Sequence, residues 1–426
     1  MNISSTTNDE FSLTVRISLD TAELETYMTK AREALAGRVV MEGFRPGKVP
    51  KHIAEKQLDP AVVKTEAMEL ALEGSFSDAV TKEGWDISRT SDLKVEKNDA
   101  SGLEYSVNVH LWPVVKLGEL AAVKVPRREV VVSDVDVDES LDTLRNLRAS
   151  YLDKTGPATE GDRVEIDFDA SLDGVPLEGG SSRNHPLIIG GRTFMPGFEE
   201  QLIGLTPGMS KEFTLVAPTD YYEQRLAGKT IGFKVMMHKV QAVLKPTVDD
   251  AFVASIGSFP TVDALRTSLR AGLMQEKEAK EQQRIRLAIL DGIIASSDIP
   301  VPEELVTREL DDMVHRFGHD LEQRGMQLAM YLARLNKTEE QMRAEWKLEA
   351  QRQVKMLLVI RQVAKEQSIT VDPNELERAF NETVTGLIKS GQVTEETVDP
   401  DRIRNVIAER FLREAVFNFL EQNCIA

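Results

Sequence analysis

Two long proline-free runs constrain this chain more than any other feature. Residues 261–299 and 303–372 contain no proline and place apolar residues at helical spacing, while residues 155 to about 244 are crowded with glycine, proline and alternating segments. Proline removes a backbone donor and clashes with the preceding turn, so long helices exclude it. Glycine and proline collect where strands turn. One uniform fold cannot satisfy both patterns, and at roughly 100–200 residues per domain the 426 residues make two to four domains.

The N-terminal quarter mixes both periods. Phe11, Leu13, Val15, Ile17 and Leu19 alternate with polar residues, which predicts a half-buried strand. Asp20 or Thr21 then caps a helix, TAELETYMTKAREALAG, that stops at Gly37. A second helical stretch starts near Pro50 and runs to about Lys82, with a break at Pro60. Leu93 and Val95, then Leu103, Tyr105, Val107, Val109 and Leu111, flank the turn-like KNDASG and read as a hairpin. Residues 1–113 therefore form a small α+β domain, with GFRPGKVP (43–50) joining its two helices at the tip of a helical hairpin. Residues 114–154 read as a connector, with a helix from about Asp136 to Tyr151. Residues 155–245 read as a compact, mostly β domain. Residues 246–426 read as all-helical, with PVPEELV, NELERAF and DRIRNVIAERFLREAVFNFL each opening or filling a helix.

Several function classes fall away. A net charge of −18 argues against a surface that coats nucleic acid generally, although a local basic patch can still bind RNA. The single cysteine, Cys424, permits no internal disulfide, which suits a reducing compartment. The N-terminus lacks a basic segment followed by an apolar one, and no window approaches 18 uninterrupted apolar residues, so neither a signal peptide nor a membrane span is expected and the chain reads as cytoplasmic. AGKT (227–230) ends like a phosphate-binding loop, but Glu223 stands where that loop needs glycine and a strand-like IGFKV follows. His315 and His319 share a helix face without further ligands, so they read as surface or half-buried histidines and no metal is expected. No Ser/His/Asp arrangement and no cofactor motif appears.

The β-rich domain is the most informative. Phe168, Phe194, Phe198, Tyr221, Tyr222 and Phe233 are interleaved with Leu177, Ile189 and Met195, which composition alone reads as a core. The order GDRVEIDFDASLDGVPLEGG, PLIIGGRTFMPGFEEQLIGLTPGMSKEFTL, PTDYYEQ, GFKVMMHKV resembles the FK506-binding-protein (FKBP) class of peptidyl-prolyl isomerase over about 90 residues. The resemblance implies an antiparallel sheet on one short helix. It also implies a pocket lined by Phe168, Leu177, Phe194, Met195, Phe198, Tyr221 and Phe233, with Phe198 as its floor. The Met195 N–H would hold the substrate carbonyl, and Glu178 stands where relatives usually carry aspartate. Such chemistry needs no cofactor, metal or nucleophile. Twisting an X–Pro bond opposes a barrier of ~18–20 kcal/mol, and the planar ground state is the more polar one. A dry aromatic pocket penalises that ground state more than the twisted transition state, and a 10⁴–10⁶ gain requires about 5.5–8 kcal/mol.

GFRPGKVP offers an aromatic beside cations, and Arg38, Arg45, Lys48, Lys51 and Lys56 make a basic tip on an acidic chain. Gly43, Phe44, Arg45, Gly47 and Pro50 match G-F-R-x-G-x-x-P, the ribosome-attachment signature of the trigger factor family of bacterial chaperones, with Pro46 at a position often held by lysine. The chain resembles that family throughout, in domain order and length. The resemblance implies an elongated multidomain α+β protein: an α+β ribosome-binding domain, an FKBP-like domain, and an all-α chaperone domain against which the connector packs. It implies attachment through Gly43, Phe44, Arg45, Pro46, Gly47, Lys48 and Pro50 to the large ribosomal subunit near the exit tunnel, binding of nascent and unfolded polypeptides, and weak homodimerisation away from the ribosome. Met313, Met326, Met330, Met342 and Met356 are spread through the helical region, as either ordinary core or an adaptable client-binding surface. A non-ribosomal cytoplasmic isomerase-chaperone, or a holdase with a vestigial isomerase, is the alternative.

Overall fold

A computed structural model describes residues 1–39, 50–99, 101–219, 221, 225–391 and 399–426, apart from the side chains of residues 51, 52 and 178. Of GFRPGKVP it describes only Pro50; Gly43, Phe44, Arg45, Pro46, Gly47 and Lys48 lie outside the described residues. Contacts divide the chain into two compact units: Met1–Arg127 with Arg284–Ala426, and Arg128–Gln283.

In the first unit, strands β1 (Asn2–Asp9), β2 (Ser12–Leu19), β3 (Ile87–Asp99) and β4 (Gly102–Leu111) form an antiparallel sheet ordered β1-β2-β4-β3. β1 carries no alternating apolar pattern and was not legible in sequence. It is an edge strand held by backbone pairing, with Ser5 opposite Val15. In the centre, Val15 faces Val107 and Ile17 faces Tyr105, and all four are buried. The helices α1 (Thr21–Arg38) and α3 (Pro60–Glu83) cover one face, with the short α2 (Lys51–Ala54) between them. Asp20 caps α1 by accepting from the Ala22 and Glu23 N–H groups, and Glu23 returns a bond to the Asp20 N–H. α3 starts with Pro60 after the cap Asp59, which is the predicted break, and ends at Gly84 with φ 69°. Its buried stripe is small and repeats every four residues: Val63, Ala67, Ala71, Ser75, Ala79. The Ser75 and Tyr105 hydroxyls meet at 2.8 Å inside this layer, and burial pushes the Tyr105 hydroxyl up to about 12 despite the Ser75 contact.

The same unit contains α7 (Glu303–Gln323), α8 (Leu328–Arg334), α9 (Glu339–Glu366), α10 (Pro373–Lys389), α11 (Pro400–Cys424) and the C-terminal part of α6 (Val262–Ser296). Residues 115–125 thread between them. Lys116 bridges to Asp298 and Val125 pairs with Ile425, and Val115 and Val125 enter two helical cores. Arg286 of α6 holds Glu414 and Glu421 of α11 while its guanidinium lies 4.8 Å from the Phe417 ring centroid. The strands meet the helices through polar pairs: Asp86 pairs with Arg361 and Lys365, and Glu304 with Arg89 and His110. Cys424 is buried, its thiol 3.5 Å from the Leu120 carbonyl and pushed up by burial. His315 and His319 lie exposed on α7. Of the five methionines, Met342 is core, Met313 and Met356 are packed against cores, Met326 is half-buried and Met330 is exposed.

The second unit joins α4 (Asp134–Leu147), α5 (Asp250–Ile256) and the start of α6 to a five-stranded antiparallel sheet. That sheet runs β5 (Ser150–Asp153), β9 (Thr230–Leu244), β6 (Arg163–Leu172), β7 (Val175–Ile188), with β8 (Ser210–Val216) also on β9. The sequence reading carries a helix to Tyr151. In the structure α4 ends at Leu147 and residues 150–153 pair with 241–244 as an edge strand. Tyr151 and Leu152 are exposed there, so backbone pairing rather than side-chain burial selects the strand. The expected short helix is a single 3₁₀ turn, Glu199–Leu202. AGKT closes a turn and enters β9 at Thr230, with no helix after it.

Tyr105→Phe removes the hydroxyl that joins strand to helix but leaves Ser75 bonded to the Ala71 carbonyl. A loss of about 0.5–1.5 kcal/mol is expected, read as faster amide exchange in β2 and β4.

Candidate active site in the five-stranded sheet

β6 and β9 place alternate residues on the inner side of this sheet. Phe168 follows buried Ile166 at period two, and Phe233 follows Ile231. They border a cavity of about 1280 Å³. Leu177 and His185 reach it from β7, Phe194 and Met195 from the loop after β7, and Tyr221 from the segment after β8. Six residues named from sequence, Phe168, Leu177, Phe194, Met195, Tyr221 and Phe233, are thus brought together at one cavity. Two are not placed: the Glu178 side chain and Tyr222 lie outside what is described.

Phe198 is placed differently from the expected floor. It is fully buried and is not part of the cavity wall. Phe194 stacks on it with centroids 4.4 Å apart and an interplanar angle of 16°. Phe168, Phe213 and Phe233 meet it edge-on at 6.1, 5.5 and 5.0 Å. Phe198 is therefore the layer beneath the wall, fixing the rings that face the cavity. Ile189 is likewise core, and its neighbour Ile188 lines the cavity.

The loop carrying Phe194 and Met195 is held by a residue that sequence reading passed over. Glu199 is 4% exposed. Its carboxylate accepts from the backbone N–H groups of Gly190 (2.8 Å), Arg192 (2.9 Å), Thr193 (2.8 Å) and Phe194 (3.4 Å), and from the Thr193 hydroxyl at 3.3 Å. Burial by itself pushes this carboxyl up, but the converging backbone donors outweigh it and hold the group below its ordinary value. Gly190 (φ 89°) supplies the left-handed turn that brings those N–H groups inward. The loop passes Met195 with its own N–H unengaged by any described residue and its carbonyl accepting from Phe198. Glu199 thus anchors a loop whose Met195 N–H engages no described residue, beside the aromatic side chains that line the cavity.

His185 was also missed. It stands in the wall edge-on to Phe168 (5.6 Å, 82°) and Phe194 (5.3 Å, 83°). An isolated histidine in SSRNHPL carries no periodic signal, so only the strand pairing reveals where it faces.

This sheet, short helical turn and aromatic cavity define a peptidyl-prolyl isomerase fold, and the family of FKBP-type peptidyl-prolyl cis-trans isomerases matches residues 154–240. The bacterial trigger factor protein family matches residues 1–144, and its C-terminal counterpart residues 261–421. The chain belongs to the trigger factor family, as a chaperone that carries an FKBP-type peptidyl-prolyl cis-trans isomerase domain. It is 29% identical to the trigger factor of Carboxydothermus hydrogenoformans over 443 residues, covering 100% of each chain. It is 32% identical to that of Shouchella clausii over 373 residues (86% of this chain, 85% of the relative) and 31% to that of Geobacillus kaustophilus over 365 (85% of each).

Glu199→Gln leaves two of the converging N–H groups facing a donor. Amide exchange at Gly190, Arg192 and Thr193 should accelerate about 10- to 100-fold, as for a buried hydrogen bond worth about 1–3 kcal/mol. Because the folded value is depressed, the wild-type contribution is complete above the ordinary value of 4.5 and is lost as pH falls below it. The same amides should therefore lose protection on acidification in wild type, and much less so in the variant.

Proposed function

We propose that the protein docks at the nascent-chain exit of the large ribosomal subunit, shields unfolded polypeptides and isomerises their X–Pro bonds. The observation that carries the isomerase reading is the cavity bordered by Phe168, Phe194, Met195, Tyr221 and Phe233 on a loop anchored by Glu199. The proline ring enters between the aromatic edges and the Met195 N–H donates to the carbonyl of the substrate. Phe198 positions Phe194 from beneath. Water is excluded, the planar amide loses solvation, and the twisted amide, less charge-separated, loses less. Glu178 is assigned to orient the substrate at the rim, on motif position alone.

Ribosome attachment is assigned to Gly43, Phe44, Arg45, Pro46, Gly47, Lys48 and Pro50. Its support is the motif itself and the exposed cations Arg38 and Lys56 on either side of it. The partner surface is ribosomal RNA together with protein, because cations suit phosphates and Phe44 needs an apolar pocket. The helical region serves unfolded clients, free protein self-associates weakly, and the protein works in the bacterial cytoplasm. Among the described residues no helix is long and apolar enough to cross a membrane. The functional segments are assigned as 1–113, 114–154, 155–245 and 246–426.

Phe168→Ala should lower kcat/KM for a proline tetrapeptide about tenfold or more, measured by a protease-coupled isomerisation assay, with the fold kept as judged by circular dichroism. Wild-type protein should pellet with empty ribosomes at low salt and release as salt rises. Phe44→Ala/Arg45→Ala should stay in the supernatant. Wild type that ignores ribosomes at low salt would leave a free isomerase-chaperone.

A further inference from the structure

We infer that Asp167, which does not line the cavity, is a positioning residue for the isomerase site: it ties together two β-bulges and thereby holds His185 and Phe168 in the cavity wall. This rests on the isomerase reading above. Asp167 lies on β6, the strand between β7 and β9. Both neighbours carry an extra residue beside it. On β7 the register steps from Ser182 opposite Phe168 to His185 opposite Ile166, so Arg183 and Asn184 together face Asp167. On β9 it steps from Met237 opposite Ile166 to Lys239 opposite Glu165, which leaves His238 as the extra residue. A bulge switches the side of the sheet that the following residues face. That switch puts His185 and then Leu187 on the inner side with Phe168, and all three line the cavity. Plain alternation from Ser182 would bring Asn184 inward in place of His185.

Asp167 reaches both bulges at once. Its Oδ1 accepts from the Asn184 N–H at 2.7 Å, and its Oδ2 lies 2.9 Å from His238 Nε2. Asn184 sits at φ 49°, a left-handed conformation that a short polar side chain tolerates and that persists only where the surroundings hold it. The Asn184 N–H first, then His238, keep the Asp167 carboxyl below its ordinary value. Arg183 closes the β7 bulge from the outer side. Its guanidinium donates to both Asp169 oxygens at 2.9 and 3.1 Å and to the Phe168 carbonyl at 3.2 Å. The backbone around Phe168 is therefore fastened to the bulge. On the inner side His185 meets Phe168 and Phe194 edge-on at 5.6 and 5.3 Å, with Ser182 Oγ 3.4 Å from its Nδ1. Releasing Asp167 frees Asn184 to relax, and the ring two faces away loses its fixed place.

The test uses the full-length protein and the protease-coupled assay on a proline tetrapeptide, with folding of each variant checked by circular dichroism. Asp167→Ala should lower kcat/KM about tenfold, mostly through kcat, because Phe194, Tyr221 and Phe233 still receive the proline while the β6–β7 part of the wall shifts. Asp167→Asn keeps an acceptor oxygen at the same reach and should stay within about threefold of wild type. Asp167→Glu keeps the charge but lengthens the side chain, and should lose about five- to tenfold. In a His185→Ala background, Asp167→Ala should cost less than about threefold further, since residues that act through one another are not additive. Glu212→Ala breaks an outer-face pair with Lys234 where β8 and β9 run in regular register, and should change kcat/KM less than about 1.5-fold. A folded Asp167→Ala protein as active as wild type, a Glu variant more active than the Asn variant, full additivity with His185→Ala, or an equal loss in Glu212→Ala overturns the inference while the isomerase reading stands. Should Asp167→Ala not fold, the order of the Asn and Glu variants decides. Wild type that accelerates no peptide overturns both.

Discussion

The site depends on one buried carboxylate. Glu199 gathers four backbone N–H groups from residues 190–194 and so converts a glycine-rich loop into a rigid wall. Without it those donors would lose their shared acceptor and the loop its anchor. Once the loop is fixed, Phe194 lies flat on Phe198, and Phe198 in turn meets Phe168 and Phe233. The ring edges facing the cavity are thus set from behind.

A different device holds the other unit together. Its residues come from both ends of the chain, and the segment 115–125, irregular apart from a 3₁₀ turn at Leu120–Ala122, is what joins them. Val115 enters the core shared by α7 and α9, and Val125 the core shared by α6, α9 and α11. The chain's last residues pair back on Val125. Cys424 is part of that packing, and burial there pushes its thiol up. At the strand end the same unit relies on polar pairs, with Asp86 holding Arg361 and Lys365, and Glu304 holding Arg89 and His110.

Legibility followed periodicity. Strand β2, both helices of the hairpin, the long α6 and the β4 strand carry a clean period of two or strong caps, and their positions were readable. β1 and β5 were not, because edge strands are chosen by backbone pairing and their side chains, such as those of Tyr151 and Leu152, stay exposed. Six cavity residues followed from motif order. Glu199 and His185 did not, since a buried carboxylate and an isolated wall histidine look in sequence like any surface charge and any strand residue.

The sequence by itself determined the order of domains, the mostly β character of 155–245, the aromatic supply of the site and the GFRPGKVP loop, because proline exclusion, alternation and turn chemistry are local. Tertiary structure decided which aromatics face the cavity and which lie beneath, that Phe198 supports rather than lines, and that residues near 120 and near 425 share one core. Those are questions of which surfaces meet. Burial and hydrogen-bond satisfaction settle them only after distant segments have been brought together.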